Sequence, residues 1–235
     1  MNPPRFIQVE ITCRCNARCV ACGWPAEGPV ITWELFERVL GAVAPDCLGS
    51  LFGLGAVTAD CLVSLFGPGE PLLHPLLLDM VRSVAERGAQ SQISTNGILL
   101  TPECSQSLKE AGLTKAIVSI WGATKELHER LQPGVDSDAV WANLAACVKA
   151  GIATELAFVP MRSNLHETEA VIARAQECNI KTVRLIRLIV PLSRPEVAEE
   201  NPFTPDLLEK NAAALHQVID AARATGMEVI DLVGV

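Results

Sequence analysis

The chain has 235 residues, 49% of them hydrophobic and 20% charged, and 27 acidic against 19 basic side chains leave a formal charge of −8. That composition excludes a disordered chain and is enough for one domain, residues 1–235, with a sizeable core. The sign of the charge is wrong for a general binder of nucleic acid or of anionic membranes, so neither partner is expected.

In chain order, Phe6 to Thr12 alternates as a strand, and Thr32 to Val43 has helical spacing with Thr32 as N-cap. Cys61 to Phe66 reads as a buried strand, Pro75 to Arg87 as a helix, and Ala89 to Ser94 as a strand ended by Asn96-Gly97. Thr101-Pro102-Glu103 is a cap, a proline at the first helical position and an acid, and Gly112 stops that helix. Ala116 to Ile120 is a strand, Ser137 to Ala150 a helix closed by Gly151, Ile152 to Val159 a strand, Leu165 to Cys178 a helix and Thr182 to Ile189 a strand. Thr204-Pro205-Asp206 repeats the cap-Pro-acid start for a helix to Ala224, and Met227 to Val233 is a last strand. Strand then helix, six times over with a terminal strand, demands a parallel α/β sheet with crossover helices, a barrel or an open sheet. Both architectures bind ligands at the carboxyl ends of the strands. Pro191 to Pro202 is expected to be the most mobile loop.

One stretch imitates a membrane span. Between Cys47 and Gly69 the only charge is Asp60, but five glycines and Pro68 argue against a spanning helix. The same stretch repeats itself: Asp46 to Gly55 is echoed by Asp60 to Gly69, which alone continues into Glu70-Pro71. The second copy is expected to be the working strand, and residues 46–59 a local duplication.

The nine cysteines are Cys13, Cys15, Cys19, Cys22, Cys47, Cys61, Cys104, Cys147 and Cys178. Their odd number, the chain length and the absence of a leader pattern before them point to a reducing cytoplasm, and four cysteines within ten residues point to a metal rather than to disulfides. The five scattered ones read as core fillers. Cys15, Cys19 and Cys22 form C-x3-C-x2-C directly after the first strand. Three thiolates so spaced wrap one soft metal centre, and a [4Fe–4S] cluster held by only three cysteines keeps one iron open for a small molecule. With Cys13 the run is instead a four-cysteine set for structural zinc.

Three further strand ends carry polar or glycine-rich turns: Gly67-Pro68-Gly69-Glu70-Pro71, Ser94-Thr95-Asn96-Gly97 and Ser119-Ile120-Trp121-Gly122. In a barrel these gather on the face of the cysteine loop. C-x3-C-x2-C, Gly-Glu-Pro and Thr-Asn-Gly in this order resemble the radical S-adenosylmethionine (SAM) enzymes, over roughly residues 5 to 190. Ser119 to His128 is similar to a segment of the branch that modifies peptides and proteins, often with a C-terminal SPASM domain, although no further cysteine cluster follows Cys178.

The resemblance implies a partial (β/α)6 TIM-like barrel. It implies that Cys15, Cys19 and Cys22 ligate three irons of a [4Fe–4S] cluster and that SAM chelates the fourth. The backbone around Gly69 and Glu70 would receive the SAM amino group, with Asn96 and Ser119 near its ribose or carboxylate. Reductive cleavage of SAM would yield a 5′-deoxyadenosyl radical that takes hydrogen from a peptide or small-metabolite substrate, with electrons from a reducing protein partner. Two departures stand out. Ala21 occupies the place of an aromatic that stacks on adenine, with Trp24 after the cluster instead, and Pro68 replaces a glycine, so that turn must differ or lose a donor. A four-cysteine zinc protein without turnover, and a relative that binds a cluster without cleaving SAM, are the alternative readings. Of the remaining residues, His74 is expected in a loop near the top face, Glu126 and His128 on an exposed helical turn, and at least one of Arg184 and Arg187 inside the barrel.

Overall fold

The computed structural model describes residues 6–24, 26–43 and 61–234. The duplicated stretch 46–59 lies outside them. Seven strands form one all-parallel sheet in chain order: β1 (Phe6–Val9), β2 (Leu62–Leu65), β3 (Gln90–Thr95), β4 (Lys115–Ile120), β5 (Ala153–Phe158), β6 (Thr182–Ile186) and β7 (Glu228–Leu232). Helices α1 (Trp33–Val43), α2 (Leu77–Glu86), α3 (Pro102–Ala111), α4 (Lys125–Leu131), α5 (Ser137–Lys149), α6 (Thr168–Glu177) and α7 (Leu208–Ala224) connect them. The sheet curls into a half-barrel. The alternation read from the sequence is therefore the fold, and β2 comes from the second copy of the repeat.

The helices start and stop where their sequence chemistry places them. The Leu35 amide donates to Thr32 Oγ1 at 3.2 Å and the Cys104 amide to Thr101 Oγ1 at 3.2 Å, so both predicted caps form. The third predicted cap does not. The Thr204 hydroxyl instead accepts from Arg162 Nη2 at 2.9 Å, and α7 begins at Leu208. The strand predicted to reach Ile189 ends at Ile186, because the following residues turn across the mouth of the barrel.

Alternate strand residues face the helices. Val9, Val63, Leu65, Ile93, Val118, Leu156, Val183 and Val229 are buried in one apolar cluster with Phe36 and Leu40 of α1. At roughly 1.5–3 kcal/mol per fully buried aliphatic side chain, this layer is the main stabilising contribution. Cys61 and Cys147 are buried fillers as expected, Cys104 and Cys178 are half-buried at the edge of the cluster, and Cys47 lies outside the described residues. The opposite strand face lines a polar lumen. Gln92 Nε2 donates to Ser64 Oγ at 3.1 Å. Glu155 is paired with Lys115 at 2.5 Å and with Arg184. Arg184 alternates with Val183 and Leu185 and stands opposite Ala157, so it is the arginine that points inward. Arg187 runs to the Val233 carbonyl.

Candidate cofactor site

The cysteine loop is a hairpin closed at its base. The amide of Ile31 donates to Ile11 O, that of Cys13 to Pro29 O and that of Cys15 to Ala26 O, at 2.9 to 3.0 Å. The strand does not continue through Cys13. The Arg14 amide bonds Thr12 Oγ1 at 3.0 Å, a turn that re-aims the chain. Cys13 consequently packs against Gly28, while Cys15, Cys19 and Cys22 line the large cavity at the mouth of the barrel. The four cysteines do not share a face, contrary to the zinc reading.

The turn after β2 is stitched to this loop. The Gly69 amide donates to Thr12 O at 3.1 Å and the Glu70 amide to Arg14 O at 2.7 Å. A Cβ on Gly69 would run into the backbone of Thr12, Cys13 and Arg14, so only glycine permits the approach. Pro68 loses no rung. The Phe66 amide bonds Val9 O, and the carbonyl next in line, that of Ile11, already accepts from Ile31. The Glu70 carboxylate is buried and turned toward β3. It accepts from Thr95 Oγ1 at 2.7 Å, the Asn96 amide at 2.7 Å and the Leu72 amide at 3.1 Å. Burial nevertheless raises its pKa to about 7. Asn96 Nδ2 donates to Asn16 Oδ1 at 2.7 Å and lies 3.8 Å from Cys15 Sγ. Ser119, Trp121, Gly69, Glu70 and Asn96 line the same cavity of about 940 Å³, and exposed Trp24 stands at its rim.

Several residues that matter here carried no function in the sequence. Gln132, just past α4, lines the same cavity as Cys19. Its spacing of four from His128 on a helical pattern was the available signal. His128 is fully buried rather than exposed, because α5 brings Ser137 over it; its ring bonds Ser137 and Gln132. Glu126 is exposed. His74 is buried too, and ties the chain before α1 through Ile31 O at 3.1 Å. Asn164 and Glu167, after β5, hold the turn after β4. Asn164 Nδ2 donates to Trp121 O and Val159 O, and Glu167 accepts from the Ala123 and Thr124 amides and from Thr124 Oγ1. Nothing local in the sequence tells that they reach across. The segment expected to be most mobile is tied down: Ser193 Oγ donates to Gly23 O at 3.0 Å, and Arg194 Nη1 lies 3.5 and 3.4 Å from the carbonyls of Cys19 and Cys22.

A profile of the radical SAM superfamily matches residues 9–175. The chain belongs to the radical SAM superfamily. Among characterised members it is similar to the AdoMet-dependent heme synthase of Methanosarcina barkeri (27% identity over 85% of this chain and 54% of the relative). It is also similar to the PqqA peptide cyclase of Ruegeria pomeroyi (32% over 77% of this chain and 46% of the relative). The chain spans about half the length of these relatives. Among solved structures, Streptococcus suis SuiB bound to its precursor peptide SuiA superposes with a TM-score of 0.72 at 16% identity, covering 97% of this chain and 49% of SuiB. Native anSMEcpe with bound AdoMet gives 0.73 at 18% identity, over 96% of this chain and 63% of that one. These likenesses establish the radical SAM half-barrel.

The residues fit the iron–sulfur cluster and SAM that this superfamily uses. Burial, and then the negative charge of Cys22 and Cys15, push the Cys19 thiol up to about 12. Cys15 is raised as well, by burial first and with Glu70 and Cys22 adding to it. Cys15 and Cys19, two neighbouring thiols that resist ionisation, are in the environment a cationic centre relieves. Among the described residues no three Cys, His, Asp or Glu side chains converge on a single ion. A cubane, whose protein ligands sit on separate irons, asks for the wider set. The described residues of this radical SAM chain include no helix long and apolar enough to cross a membrane.

Proposed function

We propose that Cys15, Cys19 and Cys22 ligate a [4Fe–4S] cluster, that SAM occupies the cavity beside it, and that the chain acts on a peptide or small metabolite by hydrogen abstraction. The carrying observation is that the three thiols, the Gly69-Glu70 turn, Asn96 and Ser119 surround one cavity of about 940 Å³, large enough for a cofactor with part of a substrate. When bound, cluster and SAM supply a 5′-deoxyadenosyl radical by one-electron reductive cleavage.

The chain's own residues hold and shelter. The Gly69-Glu70 backbone locks the cysteine loop and offers the SAM amino group its acceptors. The Glu70 carboxylate fixes Asn96, which braces the loop from β3. Ser119 faces the ribose or carboxylate. Ala21 leaves the stacking position empty of an aromatic ring, and Trp24 at the rim is the ring we assign to adenine. Ile189, Val190 and Leu192, exposed at the rim, and Trp121 give the cavity an apolar lining that a bound cofactor and substrate would cover, which helps keep water from a radical reaction. Electrons come from a reducing protein partner, and the compartment is cytoplasmic. Relatives that act on peptides and on small molecules both support the substrate class, as does SuiB with its peptide.

The test is anaerobic reconstitution with iron and sulfide, followed by EPR of the reduced protein with and without SAM and an assay for 5′-deoxyadenosine. A [4Fe–4S] signal that changes with SAM, with 5′-deoxyadenosine formed, is expected. Bound zinc without a cluster, or a cluster indifferent to SAM, would overturn the proposal.

A further inference from the structure

Cys19 sits in a short antiparallel pairing between the cysteine loop and the chain past α4. The Arg18 amide donates to Pro133 O and the Val20 amide to Leu131 O, both at 2.9 Å. In that register Cys19 and Gln132 stand directly opposite each other, the arrangement in which cross-strand side chains meet. Gln132 is 1% exposed, and both residues line the cavity.

The orientation of the Gln132 amide is set from behind. His128 Nε2 lies 2.9 Å from Gln132 Oε1, and His128 Nδ1 lies 3.0 Å from Ser137 Oγ. An amide oxygen only accepts, so the ring proton is on Nε2, and Nδ1 accepts from the Ser137 hydroxyl. Burial, ahead of the nearby Arg174 charge, keeps the His128 pKa below its ordinary value, consistent with this neutral tautomer. With its oxygen engaged by His128, the NH₂ of Gln132 is the group left to donate toward Cys19 opposite.

We propose that Gln132, aimed by His128 and Ser137, is a positioning residue that donates an N–H···S hydrogen bond to Cys19 and raises the reduction potential of the cluster. The inference rests on the proposed role of Cys19 as a cluster ligand. A donor to a ligand sulfur stabilises negative charge there. The reduced cluster carries one more electron than the oxidised one, so it gains more from the bond. The surroundings strengthen the effect, because Leu131 and Met161 keep this side of the loop dry. Partners of this kind tune a metal centre without touching the metal.

The test is an EPR-monitored redox titration of the reconstituted protein and of Gln132→Leu, His128→Ala and the double variant. Gln132→Leu is expected to lower the reduced-to-oxidised ratio at fixed poise about tenfold, which is about 59 mV for a one-electron couple. His128→Ala is expected to give part of that shift, and no further shift when added to Gln132→Leu, since both act through one bond. In parallel, protein made with side-chain ¹⁵N-glutamine is expected to show a ¹⁵N coupling to the reduced cluster, and this reading needs no variant to fold. An unchanged potential in a cluster-loaded Gln132→Leu protein, or no ¹⁵N coupling in the parent, would overturn the inference while leaving the cluster assignment standing. No cluster signal in the parent would overturn both.

Discussion

Gly69→Ala separates two reasons for a glycine at this turn. If the glycine serves the cysteine loop, the damage is already present without SAM. The added Cβ meets only backbone, from Thr12, Cys13 and Arg14, so no flexible side chain can yield to it. The Gly69-Glu70 step must retreat, which breaks the amide bonds to Thr12 O and Arg14 O. Two backbone bonds at about 1 kcal/mol each and overpacking of about 1–3 kcal/mol come to about 4 kcal/mol. For a chain of this size that is a fall in Tm of about 8–16 °C. The assay is anaerobic thermal unfolding with no SAM present, together with iron per chain. We expect a lower Tm and a lower iron content. A variant with unchanged Tm and iron that has lost only SAM affinity would refute the reasoning, and would assign the glycine to the ligand.

Cys13→Ser is expected to keep the parent's iron content, whereas Cys15→Ser, Cys19→Ser and Cys22→Ser each lose most of it; iron and sulfide analysis after reconstitution checks this. Asn164→Ala leaves the Met161 amide and the carbonyls of Trp121 and Val159 without their buried partner, and is expected to cost about 2–4 kcal/mol, read by denaturant unfolding. For Glu167, burial pushes the pKa up, but the Thr124 and Ala123 hydrogen bonds outweigh it and leave it below the ordinary 4.5. Its stabilising contribution is therefore full above pH 4.5 and fades as pH falls through the lower folded value. Parent and Glu167→Gln should differ by a constant amount between pH 6 and 8 and converge in acid; a gap that widens in acid would contradict the sign.

Much of the fold was legible because parallel strands buried against helices announce themselves as apolar runs between cap and glycine signals. Thr101 and Gly112 bound α3 as written, and the strand-end motifs reach one cavity because a half-barrel gathers all its carboxyl ends. The orientation of side chains at the site was not legible. Cys13 and Cys15 are two apart and would share a face on an extended strand, but the Thr12 hydroxyl turns the chain between them. His128 has the spacing of an exposed turn and is buried only because Ser137 folds back over it. Nor does the Gly-Glu-Pro motif tell where the Glu70 carboxylate goes: it is bound by three donors of the protein itself. In each case the deciding partner is distant in the chain or belongs to a local turn that periodicity does not register.

The cysteine loop is closed by partners that the ribosome makes much later. Its hairpin base comes from residues 26–31, but the amides of Arg18 and Val20 wait for Leu131 and Pro133, and the carbonyls of Cys19 and Cys22 wait for Arg194. At about 5–20 residues per second, Arg194 emerges roughly 10 to 35 seconds after Cys19. Through that interval the three thiols lack the wall that shelters them and are open to oxidants and to the wrong metals. For the proposed cluster, the order of synthesis thus favours loading after the half-barrel has closed, as a final step of maturation.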